Sequence, residues 1–257
     1  MVKEFSSYWA LILGGSSGLG LASARKLAAH GMNLCIVHRN TRVELAGIGR
    51  QFEEIRAMGV QLLTFNTDVL NAEKRAEVLQ QLQTAMGESR IRCLLHSIAR
   101  GNLKALPHLD ADDFNTTIGN MGVSLYEWAV DILHRQLFAS DARILSFTSD
   151  GSYKAMEHYA AVSAAKAALE SITRSIALEF APHGIRANCI RAGVTDTASL
   201  RKIPGSSALL EYSREKNPFR QLTTPEDVAN VVYLLCRDEA AWINGAIIPV
   251  DGGTHIH

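Results

Sequence analysis

Apolar segments of strand length alternate along the chain with amphipathic segments of helix length, and this alternation limits the folds that the chain can adopt. The apolar segments read YWALIL, MNLCIV, VQLLTF, IRCLLH, ARILSF, IRANCI and GAIIPV. The predicted helices between them span 18–30, 42–58, 71–86, 111–138, 158–181 and 225–237. Strands that are apolar throughout and separated by helices are typical of a parallel sheet covered on both faces. We therefore predict a doubly wound α/β fold of Rossmann type, with 1–257 as a single domain.

Composition restricts the classes of partner and the compartment. The 257 residues are 47% hydrophobic, and the 26 basic residues balance 26 acidic ones, so no global field attracts nucleic acid or a membrane surface. The cysteines form no Cys-x2-Cys pair, which predicts buried reduced thiols and no metal site; they are Cys35, Cys93, Cys189 and Cys236. The N-terminal apolar run is too short for a signal peptide or a membrane span, so a soluble cytoplasmic protein is expected.

A glycine-rich segment follows the first apolar run and leads into the first predicted helix. It reads Gly14-Gly15-Ser16-Ser17-Gly18-Leu19-Gly20, with the spacing Gly-x3-Gly-x-Gly. Glycine lets a backbone turn sharply and approach a pyrophosphate, while a helix N-terminus offers free N–H groups and positive potential. Such a turn can also be purely structural. On the first strand–helix turn of an alternating chain, however, it predicts dinucleotide binding.

The residues after the second predicted strand bear on which dinucleotide is bound. An Asp or Glu there usually holds a free ribose 2′-hydroxyl, whereas this chain has His38 followed by Arg39, with Arg42 close behind. A guanidinium binds a 2′-phosphate through charge-assisted hydrogen bonds, so the pattern favours NADPH over NADH. The alternative is that both arginines belong to a solvated loop. Asp68, after the third strand, is predicted either to hydrogen-bond the adenine or to cap the next helix.

A tyrosine, a lysine and a serine in the second half of the chain predict an acid–base site. Tyr159 and Lys166 lie seven residues apart in a predicted helix, so both side chains would leave one face. The Lys166 ammonium is predicted to lower the pKa of Tyr159 from about 10. Ser149 ends the run RILSFTS, where its hydroxyl would face the start of the same helix. A Tyr and a Lys at this spacing also occur in helices by chance.

These features resemble the short-chain dehydrogenase/reductases, and the resemblance covers essentially the whole chain. The glycine spacing matches the family's cofactor motif, with Leu13 in place of the usual Thr before it. Asn120 stands at the family's helix Asn, which supports the active-site lysine through water. Ser149 and Lys166 stand at the family's Ser and Lys.

The last third of the chain continues this resemblance. Gly193 and Thr197 match the family's Pro-Gly-x3-Thr element, although Ala192 replaces the proline. The residues VDGG at 250–253 match its C-terminal strand end. The cofactor motif, the site residues and the C-terminal segment therefore all follow the family's order along the chain.

Two departures narrow the resemblance to one branch of the family. The family's usual Tyr lies four residues before the Lys, where this chain has Val162, and the tyrosine stands instead at Tyr159. The usual Asn-Asn-Ala-Gly after the fourth strand is replaced by His96-Ser97-Ile98-Ala99. Both changes look like the bacterial enoyl-acyl-carrier-protein reductases. Ser149, rather than a second Tyr, looks more like their NADPH-dependent branch.

The wider Tyr–Lys spacing has a physical reason. When an enoyl thioester is reduced, the hydride goes to Cβ and charge develops on an oxygen three bonds further along, so the acid must stand further from the nicotinamide. Three residues of helix displace a Cα by roughly 4.5 Å, which is the right order for this change. By resemblance, Tyr159 would stabilise the enolate, Lys166 would hold the nicotinamide ribose hydroxyls, and Ser149 would be a supporting donor.

The resemblance implies an NADPH-dependent enoyl-acyl-carrier-protein reductase of fatty acid biosynthesis, acting as a homotetramer on an acyl thioester held by acyl carrier protein. A ketone or alcohol oxidoreductase that uses Tyr153 or Ser149 as its donor remains an alternative, as does a non-catalytic NADPH-binding regulator. The predicted catalytic residues are Tyr159, Lys166, Ser149 and Asn120. The predicted cofactor-binding residues are Gly14, Ser16, Ser17, Gly18, Leu19, Gly20, Arg39, Asp68, Val69, Ser97, Ile98, Ala99, Lys166, Gly193, Thr195 and Thr197.

The long irregular segment 194–224 is predicted to be a substrate lid, because connections of this length usually serve a function. Its apolar residues would cover an acyl chain and its basic residues would meet an acidic carrier; the alternative for the basic residues is a solvated loop with a short amphipathic helix. The apolar set is Leu200, Ile203, Leu209 and Leu210, and the basic set is Arg201, Lys202, Arg214 and Lys216.

Overall fold

The computed structural model describes residues 4–256, and within this range all seven predicted strands and the six predicted helical regions are present. The strands are β1 Tyr8–Leu13, β2 Asn33–His38, β3 Leu62–Asn66, β4 Arg90–His96, β5 Phe138–Thr148, β6 Ile185–Ala192 and β7 Ile247–Val250. The helices are α1 Gly18–Ala29, α2 Arg42–Arg56, α3 Ala72–Met86, α4 Ala111–Ile118, α5 Ser124–His134, α6 Ala160–Glu179, α7 Ser206–Lys216 and α8 Pro225–Cys236.

The strands form one parallel sheet in the order β3-β2-β1-β4-β5-β6-β7. The chain starts in the middle of the sheet, winds outward to β3, and then crosses back to β4 beside β1. The strand order therefore reverses between β1 and β4, and ligands of doubly wound sheets bind at the carboxyl ends of strands at such a point. This confirms the predicted doubly wound α/β fold.

The core lies in two layers, one on each face of the sheet. Alternate residues of β1 face opposite sides: Ala10 and Ile12 join the cluster packed against α1 and α8, while Leu11 joins the cluster packed against α3, α5 and α6. Burial on both faces is why the strand sequences are apolar throughout. The four cysteines are free and buried, as predicted. None of the helices within residues 4–256 has the length and apolar character needed to cross a membrane.

Two predicted elements differ from the structure. The continuous helix predicted over 111–138 is interrupted by a π-helical turn at Gly119–Val123, which separates α4 from α5. The irregular segment 194–224 contains α7, so it is partly helical. A periodicity argument cannot see a π turn, because one inserted residue per turn leaves the apolar pattern on either side almost unchanged.

Candidate active site

The glycine-rich turn lies at the reversal point between β1 and β4. Gly14 has φ +88°, and a Cβ added to it would lie 2.4 Å from the Ser97 carbonyl oxygen, so only glycine fits there. Helix α1 begins at Gly18, has no acidic residue in its first turn, and receives no side-chain hydrogen bond from its N-cap Ser17. The positive end of α1 is therefore not neutralised by the protein, which fits a pyrophosphate.

At the end of β2, the His38 side chain is buried and the side chain of the next residue, Arg39, is exposed. The His38 ring is buried, packs edge-to-face on Phe52, and its Nδ1 lies 2.9 Å from Asn40 Oδ1. The Asn40 N–H donates to Asn66 Oδ1 at 2.8 Å, which ties the loop to β3. His38 therefore has a packing role, and Arg39 is the residue offered at this strand end.

Arg39 is neither free nor merely solvated, because its guanidinium forms an ion pair with Asp68. Asp68 Oδ1 also accepts the Leu70 N–H at 3.0 Å, and Arg100 NH1 lies 3.9 Å from its other carboxylate oxygen. Two guanidiniums therefore converge on one fixed carboxylate. The prediction that Asp68 could cap the next helix is wrong, because Asn71 caps α3 by accepting the Lys74 N–H.

The other residues assigned to the cofactor lie on loops that follow the strands. The Ser97 N–H donates to the Leu13 carbonyl at 2.8 Å, so the segment after β4 follows the edge of β1. The Thr197 side chain lies 3.5 Å from the place of a Cβ at Gly18, so the first residues of the lid reach the glycine-rich turn. The loop residues assigned to the cofactor are Ser16, Ser17, Val69, Ser97, Ile98, Ala99, Gly193, Thr195 and Thr197.

Ser149 and Tyr159 come together beside Gly151. A Cβ at Gly151 would lie 2.5 Å from the Tyr159 ring and 3.4 Å from Ser149 Oγ. Tyr159 is the N-cap of α6 and precedes its first residue, so it does not share the helix with Lys166 as predicted. Ser149 Oγ is buried and has no hydrogen-bond partner among the described residues.

The predicted lowering of the Tyr159 pKa is wrong. Burial raises the pKa of Tyr159, and the neighbouring Ser149 hydroxyl lowers it by a smaller amount. Lys166 makes no contribution to that pKa, and its ammonium donates instead to the Phe147 carbonyl at 2.6 Å. Tyr159 is consequently a protonated phenol at neutral pH, able to donate a hydrogen bond.

Lys166 is buried, and desolvation lowers its pKa to about 8, while the charges of Cys189 and Glu170 act in the opposite direction. Glu170 is held beside β5 by the Thr148 hydroxyl, which donates to it at 2.6 Å. Neither Thr148 nor Glu170 was predicted as part of the site. Glu170 could have been found from its position four residues after Lys166, on the same face of α6.

Asn120 lies in the π turn and is buried. Its carbonyl accepts the Ser124 hydroxyl at 2.7 Å, and Ser124 was also not predicted. The π turn packs on α6 near Lys166 through Met121, which clusters with Val162 and Ala165. The structure therefore brings Asn120 to the Lys166 side of the site.

Val162, at the family's usual tyrosine position, is a packing residue. It is buried, and its Cγ2 lies 2.8 Å from the place of a Cβ at Gly101. Met121 and Thr117 crowd the same place from α4 and the π turn. The space that the usual acid would need is thus occupied by the chain itself.

Tyr153, the alternative donor, is directed elsewhere. Its ring is exposed, its hydroxyl donates to Asp150 Oδ1 at 3.1 Å, and the Arg191 guanidinium stacks on the ring at 4.8 Å. Arg191 Nε also lies 3.6 Å from Asp150. These contacts fasten the loop between Ser149 and Tyr159 to β6.

Within residues 4–256, no three His, Cys, Asp or Glu side chains are grouped so that they could hold a metal ion. The structure brings the protonated phenol of Tyr159 and the buried hydroxyl of Ser149 together, and it offers the buried ammonium of Lys166 and the unneutralised N-terminus of α1 for a cofactor. Such a set fits a nicotinamide dinucleotide and an acid that donates to a substrate oxygen.

Comparison with known proteins identifies the family of the chain. Residues 14–255 match the model of a family described as enoyl-(acyl carrier protein) reductase. A 3-oxoacyl-[acyl-carrier-protein] reductase of Pseudomonas aeruginosa is 30% identical over 247 residues, which are 96% of this chain and 97% of the relative. An enoyl-[acyl-carrier-protein] reductase [NADH] of Aquifex aeolicus is 36% identical over 140 residues, or 53% of this chain and 51% of the relative.

Solved structures show the same fold. The crystal structure of the enoyl-[acyl-carrier-protein] reductase (NADH) from Aquifex aeolicus has a TM-score of 0.86 at 27% identity and covers 97% of each chain. A short chain dehydrogenase from Burkholderia cenocepacia, solved in complex with NADP, has a TM-score of 0.84 at 24% identity and covers 98% of this chain and 99% of its own.

The fold and the site together define an oxidoreductase of the doubly wound, nicotinamide-cofactor-binding class. The chain belongs to the short-chain dehydrogenase/reductase family, which confirms the resemblance drawn from the sequence.

Proposed function

We propose that this protein reduces the 2,3-double bond of an enoyl thioester with NADPH, as an enoyl-acyl-carrier-protein reductase of fatty acid biosynthesis in the cytoplasm. The observation that carries the proposal is the position of the acid. Tyr159 lies at the N-cap of α6 beside Ser149, while the family's usual acid position is filled by Val162 packed against the Gly101 backbone. A donor displaced in this way suits an oxygen that is remote from the hydride acceptor.

Each residue of the site has a separate role in this proposal. Tyr159 stays protonated near neutral pH because burial raises its pKa, so its hydroxyl can donate to the thioester oxygen as enolate charge develops. Lys166, fixed by the Phe147 carbonyl, would hold the nicotinamide ribose hydroxyls. The bound cofactor supplies the hydride. Ser149 would support the substrate oxygen with its unpaired hydroxyl.

The choice of NADPH is part of the proposal and rests on Arg39. Its guanidinium stands at the end of β2, where a carboxylate would repel a 2′-phosphate, and Asp68 holds it in place. Arg100 adds a second positive charge near the same carboxylate. The net positive charge of this group favours a phosphorylated ribose over a free hydroxyl.

We assign the lid to the acyl chain and to the carrier. Of the basic residues near its start, Arg201 is paired with Asp196 at 2.7 Å, which leaves Lys202 as the better candidate to meet an acidic carrier. Lys202→Glu should raise KM for carrier-bound substrate several-fold and leave KM for the CoA thioester unchanged, with Lys74→Glu, the same change at an exposed lysine of α3, as the control. If Lys202→Glu and the unmodified protein had the same KM for the carrier-bound substrate, the proposed docking role of Lys202 would be wrong.

The enoyl assignment is tested by measuring NADPH oxidation with a crotonyl thioester and with an acetoacetyl thioester. We expect turnover of the enoyl substrate, and Tyr159→Phe should lower its kcat about 10²- to 10³-fold with little change in NADPH affinity. The control is Tyr126→Phe, a change of the same kind at an exposed tyrosine of α5. Reduction of the ketone alone would contradict the assignment.

A ketone reductase is the second candidate, because the relative from Pseudomonas aeruginosa is a 3-oxoacyl reductase by name. The hydrogen bond from Tyr153 to Asp150 argues against Tyr153 as its acid, which leaves Ser149. The same pair of assays separates the two reactions. NADPH binding without turnover of either substrate would instead support a regulator.

A further inference from the structure

His96, at the end of β4, is fully buried and has one satisfied and one unsatisfied ring nitrogen. Its Nε2 lies 2.8 Å from Ser124 Oγ on α5. Its Nδ1 makes no hydrogen bond to any atom within residues 4–256. Burying a polar nitrogen without a partner is costly, so an unpaired atom at this place indicates a partner that the chain itself does not provide.

The hydrogen bonds of Ser124 determine the tautomer of His96. The Ser124 hydroxyl has a single proton and donates it to the Asn120 carbonyl at 2.7 Å. Ser124 Oγ can therefore only accept from the imidazole, so His96 carries its proton on Nε2. The imidazole is neutral, because burial, with the Lys166 charge adding to it, lowers the pKa of His96 to about 3. A contact of the ring with the His96 carbonyl opposes this shift, but its geometry is not that of a hydrogen bond and it leaves Nδ1 without a partner. Nδ1 is consequently an unprotonated, unsatisfied acceptor.

The charge that acts on the His96 imidazole is the Lys166 ammonium. His96 is paired in the sheet with Ser146, the neighbour of Phe147, and the Phe147 carbonyl accepts the ammonium at 2.6 Å. An ammonium has three N–H donors, and in Lys166 only this one has a protein acceptor among the described residues. Spare donors and a spare acceptor thus lie on the same face of the sheet, between α5 and α6.

We propose that His96 is a positioning residue for Lys166: a buried water donates to His96 Nδ1 and accepts from the Lys166 ammonium, and Ser124 holds the imidazole in the tautomer that this requires. The water balances both groups, because it supplies one proton to the nitrogen and one lone pair to the ammonium. An acceptor on this side favours the charged lysine and holds its Nζ toward the ends of β4 and β5.

The inference rests on the proposed role of Lys166 in cofactor binding, but its first test needs neither cofactor nor substrate. The imidazole nitrogens of the ¹⁵N-labelled full chain are observed by NMR from pH 8 to pH 5, with His96→Asn used for assignment. We expect the Nε2–H tautomer with an unprotonated Nδ1 throughout. Ser124→Ala should increase the Nδ1–H tautomer, whereas Ser175→Ala, which removes a similar hydroxyl bond at an exposed place on α6, should not. An Nδ1–H tautomer in the unmodified protein would overturn the inference.

The second test separates positioning from packing by comparing two replacements of His96. Asn can offer an oxygen near the place of Nδ1, whereas Gln reaches toward the place of Nε2 and leaves the Nδ1 side without an acceptor. The dissociation constant of NADPH is measured from pH 6 to pH 10. In His96→Gln the alkaline loss of binding should move about one pH unit lower, with about fivefold weaker binding at pH 8 and about tenfold at higher pH, because the lysine loses its charge earlier. His96→Asn should stay within about twofold of the unmodified protein.

Identical alkaline limbs for the Gln and Asn variants would overturn the inference. Failure of the unmodified protein to bind NADPH would contradict the proposed function instead, and the tautomer measurement would still decide the inference.

Discussion

At the scale of single residues, burial rather than pairing sets the chemistry of the site. Tyr159 and Lys166 were predicted to form a couple in which the ammonium lowers the phenol pKa. In the structure burial raises the pKa of Tyr159 and lowers that of Lys166 to about 8, so each group is moved towards its neutral form. A neutral, protonated phenol is the form that can donate to a developing enolate. Binding a cofactor phosphate nearby would favour the charged lysine again.

The contribution of Arg39 to cofactor choice can be measured directly. Arg39→Ala should reduce the ratio of kcat/KM for NADPH to that for NADH by at least about tenfold, mainly through KM for NADPH, because one charged contact to phosphate is worth about 1.5–3 kcal/mol. Arg50→Ala, a change of the same kind at an exposed residue of α2, is the control. Equal kcat/KM for the two cofactors in the unmodified protein would contradict the predicted preference.

The buried imidazole of His96 should make the protein lose stability in mild acid. The pKa of an unperturbed histidine is 6.5, and that of His96 is about 3. Between these values the unfolded chain binds more protons than the folded one, so the free energy of unfolding falls as the pH is lowered. For one fully buried group the loss is on the order of a few kcal/mol, and burial of His38 adds to it with the same sign.

Urea unfolding between pH 4 and pH 8 checks this. His96→Asn should flatten the dependence of the unfolding free energy on pH, whereas His134→Asn, a change at an exposed histidine of α5, should leave it as it is. The same slope in the His96 variant and the unmodified protein would show that the imidazole is not buried in its neutral form.

At the scale of elements, the start of α6 and the segment after β4 fit each other. The Gly101 backbone lies against Val162, and Met121 of the π turn closes the same contact. Tyr159 and Val162 at the start of α6, Gly101 after β4 and Met121 of the π turn thus pack together, which joins three parts of the chain. An acid at the family's usual position, residue 162, would require space that segment 99–103 occupies.

Val162→Tyr therefore tests whether the usual family spacing can be restored. Overpacking against Gly101 should destabilise the protein by about 1–3 kcal/mol and should not create reduction of a 3-ketoacyl thioester. Thermal unfolding and the acetoacetyl thioester assay measure the two effects, with Val162→Ile as a control of smaller volume. Efficient ketone reduction by Val162→Tyr would contradict this prediction, because it would show that the site can hold an acid at residue 162.

At the scale of the whole molecule, the sheet order brings the site together and leaves apolar surface outside it. Asn244 donates to the Ala177 carbonyl at 2.8 Å, which brings the segment after α8 next to the end of α6. This part of the surface carries Trp242, which is 96% exposed, and Leu178, which is 77% exposed. We propose that Trp242 and Leu178 lie in a contact between copies of the chain, in the homotetramer that the family resemblance implies.

Sedimentation should therefore show a species of four times the chain mass. Trp242→Asp should shift it to smaller species, because a charge would be buried in the contact. Val43→Asp, which changes an equally exposed residue of α2, should not. A monomer at micromolar concentration in the unmodified protein would contradict the proposed assembly.

The sequence by itself determined the layers, the order of strands and helices, and the place of the cofactor turn. These follow from local signals: the apolar period of each segment, and glycines at one strand–helix junction. The candidate site residues could also be chosen from the sequence, because Ser149 and Tyr159 stand at the ends of elements that periodicity predicts, and Lys166 lies within the helix that follows Tyr159. The family could be predicted as well, whereas its branch, which Val162 and the residues after β4 favour, stays a proposal.

Only the tertiary structure decided the protonation states of those residues and the partners that they contact. The direction of the Tyr159 and Lys166 pKa shifts depends on desolvation by α5, α6 and the sheet, which no local pattern encodes. The ion pair of Arg39 with Asp68 joins residues 29 positions apart, and the hydrogen bond of His96 with Ser124 joins residues 28 apart. Contacts of this range are set by strand order and helix packing, so they could be read only once the parallel sheet had brought its carboxyl ends together.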